Sequence, residues 1–80
     1  SFKGGKAEAL EVIVDLEKNK GLIGKGIDEI KVPEGCMIGA LLRDKEVKIA
    51  HHDVKIAEND HLVIFLADKS NFQKLESSLA

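Results

Sequence analysis

Cys36, His51, His52 and His61 are the side chains in this sequence best suited to hold a metal or to act as nucleophile and base. Metal sites space their ligands so that they converge, as in Cys-x-x-Cys or two His at i and i+4. Neither pattern occurs here. His51 and His52 are adjacent, and adjacent side chains of an extended chain point to opposite faces. Only one of them can then join a site with His61 or Asp53, so the spacing predicts solvated loop histidines and no metal site. Cys36 opens an apolar run, where a free cysteine packs as a small hydrophobe. It has no evident base or orienting third group, as a nucleophile requires. Asp28 and Glu29 are neighbours that do not face each other on a helix. No catalytic constellation emerges, and the sequence reads as a non-enzymatic domain.

The glycines are more informative. Gly24-Lys25-Gly26 lacks the third glycine of a dinucleotide fingerprint, since position 29 is Glu, and Pro33 cuts short the helix that must follow. It also fails the phosphate-loop pattern. Gly21-Leu22-Ile23-Gly24 resembles the Gly-x-x-Gly clamp of KH modules, which makes single-stranded RNA binding the alternative reading. The missing full helix and the acidic balance weigh against it. Arg43 ends an apolar run beside a turn, with Lys45 close by. The pair is the candidate site for a small anionic ligand, which guanidinium groups hold by bidentate contacts.

The elements that must position these residues follow from periodicity. Leu10 to Glu17 alternates and predicts a half-buried strand with Leu10, Val12, Val14 and Leu16 inward. Ile27 and Ile30 allow one or two helical turns before Pro33. Cys36 to Arg43 reads as a strand, Asp44-Lys45 as a two-residue turn without the usual glycine, and Val47 and Ile49 as its hairpin partner. Val54 and Ile56 are buried anchors, and Asn59-Asp60 is a turn pair. Leu62 to Leu66 leaves neither face polar and predicts a strand buried on both sides, one of them a candidate subunit interface through Val63 and Phe65. Ser70 and Gln73 have capping-box spacing, and Phe72, Leu75 and Leu79 form the stripe of a closing helix. The order is β-α-β-β-β-α: an α+β two-layer sandwich with a mostly antiparallel four-stranded sheet. Residues 1–6 read as a disordered linker or tag remnant, and residues 7–80 as one domain.

Eighty residues support one thin core, which dimerisation would reinforce. With 12 basic and 14 acidic side chains, the chain carries a net charge of −2. That is not the basic surface a dedicated nucleic-acid binder needs. A single cysteine fits a reducing cytosol. The longest apolar run, Leu62 to Ala67, is far short of a membrane span.

Three stretches together resemble a known family. They are Gly24-Lys25-Gly26-Ile27-Asp28-Glu29-Ile30-Lys31-Val32-Pro33, then Gly39-Ala40-Leu41-Leu42-Arg43, then Glu58-Asn59-Asp60-His61-Leu62-Val63-Ile64-Phe65. Their order is similar to the C-terminal domain of RCK regulatory proteins, the TrkA-C domain. Asn59 replaces the usual glycine before the turn aspartate, and the common proline near His51-His52-Asp53 is absent. The resemblance implies a homodimer on the cytoplasmic side of the membrane, attached there through a potassium-transporting subunit. It implies no cofactor in this domain, a nucleotide such as NAD being bound by an upstream domain not in this chain. Family members that bind a cyclic dinucleotide here do so in a dimer cleft, of which only Arg43 is matched.

Overall fold

A computed structural model describes residues 6–80. Strand β1 spans Glu8–Ile13, β2 Cys36–Arg43, β3 Glu46–Ile49 and β4 His61–Leu66, and helix α1 spans Phe72–Ser78. The sheet order is β1-β4-β2-β3, with every pairing antiparallel. The expected α+β sandwich is therefore present. Residues 1–5 of the expected linker lie outside the described residues. Lys6 is tied in, since its carbonyl accepts the Lys69 N–H at 2.7 Å.

One side of the sheet carries the core. Leu10 and Val12 of β1, Ile38 and Leu41 of β2, and Leu62, Ile64 and Leu66 of β4 face a second layer. That layer is only partly helical. Leu75 and Leu79 come from α1 and its end, while Leu22, Ile27 and Ile56 come from the connections. The Ile27–Glu29 segment is a single 3₁₀ turn. It is pinned by a bridge between Gly26 and Lys55 and by the Ile27 N–H to the Val54 carbonyl.

Three sequence expectations need correction. First, β1 begins and ends earlier than Leu10 to Glu17. Asp15 takes the Glu17 and Lys18 N–H groups on its carboxylate at 2.9 and 2.8 Å. This Asx-type turn stops the strand and leaves Leu16 exposed. Second, β4 is buried on one face only. Its Leu62, Ile64 and Leu66 are covered, but Val63 is half-buried and Phe65 is 38% exposed, because the connections and α1 all pack on the other side. Third, Ser70 caps no helix: Asp68 caps the 3₁₀ turn Lys69–Asn71, its carboxylate accepting the Ser70 N–H at 3.0 Å, and α1 itself starts after Asn71 without a side-chain cap. Ser70 and Asn71 instead belong to a 3₁₀ turn leading into the helix.

Candidate functional site

The uncovered face of the sheet is the most conspicuous feature. Register places Ala9, Glu11 and Ile13 of β1 beside Phe65, Val63 and His61 of β4. Met37, Ala40 and Leu42 of β2 continue the same face, and Ile49 and Val47 of β3 complete it. Ile13, Met37, Val47, Ile49 and Phe65 are all exposed, Ile49 by 70%. Solvent-facing sides of antiparallel sheets are normally polar. Here the described polar groups on that face are Glu11 and His61, which meet at 2.9 Å through Oε2 and Nδ1. Both interface candidates read from the sequence, Val63 and Phe65, lie on this face. Gly39 serves it too. It is the extra residue of a bulge between Ile38 and Ala40, and a Cβ there would lie 2.5 Å from the Phe65 ring. The glycine makes room for the aromatic group to lie flat on the strand.

The two anion-site candidates diverge. Arg43 donates from Nε and Nη2 to the two oxygens of Asp60 at 2.8 and 2.7 Å, and from Nη2 to the Lys55 carbonyl at 2.7 Å. Asp60 is 1% exposed and also accepts the Ala57 N–H at 2.8 Å. Burial alone would raise its pKa and favour the neutral form. The Arg43 hydrogen bonds, the Ala57 N–H and the guanidinium charge outweigh that and hold the carboxyl below the ordinary carboxylate range. Arg43 thus fastens the end of β2 to the segment between β3 and β4. Lys45 sits at the hairpin tip, on the rim of a shallow cleft shared with Leu42, Asp44, Asn59 and His61.

The sequence offered Asn59-Asp60 only as a turn, and the partner of Arg43 was missed. One signal pointed to it: an arginine ending an apolar strand needs a carboxylate in reach. The 17-residue separation hides which one. The remaining candidates separate in the same way. Cys36 opens β2 half-buried against the core, as a small hydrophobe would. The Gly21 to Gly24 stretch, read as a nucleotide clamp in the alternative, drives Leu22 into the core. One 3₁₀ turn stands where a KH module needs a full helix. His51 and His52 do not point apart, because a turn follows β3. The His51 carbonyl accepts the Val54 N–H at 3.0 Å, and the two rings lie 4.1 Å apart.

Comparison with known proteins fits this geometry. The TrkA-C domain family matches residues 11–80. The chain is 42% identical over 77 residues to the Trk system potassium uptake protein TrkA of Haemophilus influenzae, covering 95% of this chain and 17% of that protein. It is 41% identical over 78 residues to the protein of the same name from Halomonas elongata, again covering 95% and 17%. The chain thus spans about a sixth of the length of these relatives. A solved structure titled as an RCK domain with cda superposes with a TM-score of 0.69 at 15% identity, covering 90% of this chain and 97% of that one. With the family match running from β1 through α1, the chain belongs to the TrkA-C domain family.

Proposed function

We propose that this chain is a regulatory, dimerising domain of the cytosolic subunit of a Trk-type potassium uptake system. Its catalytic role is nil. It acts by assembly, and by biasing a conformational equilibrium of a membrane potassium-transporting subunit through differential contacts. The family membership and the names of its relatives support the system. No helix among the described residues is long and apolar enough to cross a membrane, which suits a peripheral, cytoplasmic domain held through its transporter. Any nucleotide cofactor belongs to an upstream domain.

One observation carries the assembly role: the apolar open face of the sheet. A contiguous exposed patch built from Ile13, Met37, Val47, Ile49 and Phe65 marks an interaction surface. A second copy is its natural cover, with Val63 and Phe65 near the centre on the inner strand β4. Small-ligand sensing is assigned to Lys45 at the hairpin tip first. Two donor nitrogens of Arg43 are already committed within the fold. Sedimentation of the chain tests the assembly. Wild type is expected to be a dimer at tens of micromolar, and Val63→Glu with Phe65→Glu a folded monomer by circular dichroism. A wild type that stays monomeric at millimolar concentration refutes the dimer.

A further inference from the structure

The turn after β3 gathers three metal-binding side chains that belong neither to the open face nor to the Arg43 clasp. One nitrogen of His51, one of His52 and a carboxylate oxygen of Asp53 lie within 4.8 Å of one another. Asp53 Oδ1 is 3.1 Å from His52 Nε2, and Asp53 Oδ2 is 3.6 Å from His51 Nδ1. The backbone creates this convergence. The His51 carbonyl to Val54 N–H bond folds the segment into a turn. Its ends are held by the Ala50 N–H on the Gly39 carbonyl at 3.0 Å and by the Val54 carbonyl, which accepts the Ile27 N–H at 2.8 Å. Three consecutive side chains therefore share one side of a fastened loop.

We propose that His51, His52 and Asp53 form a surface site for a divalent transition-metal ion of the zinc type. Two imidazoles and one carboxylate suit zinc and its late first-row neighbours, whereas magnesium and calcium prefer all-oxygen sites. Bonds of about 2.0–2.1 Å in a tetrahedral site place ligand atoms about 3.3 Å apart. The observed 3.1 and 3.6 Å spacings bracket that value, and all three side chains are well exposed, so small rotations bring them to it. Solvent fills the fourth position, which makes the ion exchangeable. Carboxylate oxygens of Asp28 and Glu29, together with the His52 carbonyl, crowd the position a Gly26 side chain would take, at 2.8, 2.9 and 3.4 Å. Two further negative charges therefore stand beside the turn.

Titration of the 80-residue chain with zinc chloride tests the site, by calorimetry and by the histidine ring resonances. One ion per chain is expected, with the ring signals of His51 and His52 shifted and those of His61 unmoved. Losing an outer-sphere partner typically costs 10–100-fold in affinity, so losing a ligand in His52→Ala should cost at least about tenfold. Asp53→Asn should also weaken binding, while His61→Ala and Cys36→Ser should leave it unchanged. Protons compete for imidazole, so affinity should fall on acidification. No binding at millimolar zinc, or binding undiminished in His52→Ala, overturns the assignment. These side chains are exposed, so the variants keep the fold.

Discussion

Asp60 is a carboxylate with almost no access to water, and it stays charged because its partners are fixed around it. Replacing it with Ala leaves Arg43 without its two strongest bonds and the Ala57 N–H without an acceptor. Hydrogen bonds to charged groups and broken buried pairs set the cost at about 2–4 kcal/mol, tempered by the partial exposure of Arg43. Denaturant unfolding of Asp60→Ala measures it. The acidity of Asp60 also fixes a pH dependence. Its carboxyl is depressed in the folded state relative to an ordinary aspartate near 3.9. The stability it contributes is therefore fully present above about pH 4 and lost as pH falls through the lower folded value. Unfolding midpoints measured from pH 6 to pH 2.5 should fall more for the wild type than for Asp60→Ala. At this scale the sequence was only half legible. Asn59 was readable as a left-handed residue, and its φ is 70°. The reach of Arg43 to Asp60 depends on two strands pairing in register, which no local pattern encodes.

The β2–β3 hairpin shows what an element can carry without its preferred residues. Asp44 and Lys45 both have positive φ, 49° and 69°, as a type I′ turn demands. Left-handed backbone costs a residue with a Cβ roughly 1–2 kcal/mol relative to glycine. Lys45→Gly should therefore stabilise the chain, by about 0.5–1 kcal/mol after the entropy of the unfolded glycine is counted. In a domain of this size that raises Tm by several degrees. The same variant tests the proposed sensing role. If Lys45 binds an anionic ligand, a cyclic dinucleotide that raises the wild-type Tm should no longer raise that of Lys45→Gly. Elements with strong periodicity were legible: β2, the hairpin and β4 appear where the pattern places them, and of the Phe72, Leu75 and Leu79 stripe the last two are buried while Phe72 stays exposed. The C-terminal end of β1 and the 3₁₀ turn before α1 were not legible, because Asp15 and Asp68 compete for backbone N–H groups by side-chain bonds that periodicity does not register.

Across the whole molecule, the proposed closure of the uncovered sheet face by a second copy would make stability and assembly one quantity. A dimer that exists only when folded gains stability by mass action, so Tm should rise with protein concentration. Scanning calorimetry from about 10 µM to 1 mM checks this, and Val63→Glu with Phe65→Glu should abolish the dependence. The reading of β4 as apolar on both faces holds, and within one chain only the face of Leu62, Ile64 and Leu66 is covered. The sequence shows which side chains avoid water, but only the placement of every connection on one side shows which of them remain uncovered.

The strand order β1-β4-β2-β3 has a further consequence, in the timing of synthesis. The strand that joins the two halves of the sheet is the last one made. Until residues 61–66 leave the ribosome, β1 has no neighbour and the β2–β3 hairpin has one free side. Growing chains can form the local hairpin early, but the core must wait for a strand to insert at the centre. Long-range pairing of this kind slows folding. The domain therefore completes its fold only after nearly all of it has emerged, and a truncation before β4 should leave a hairpin and a loose N-terminal segment in place of a smaller domain.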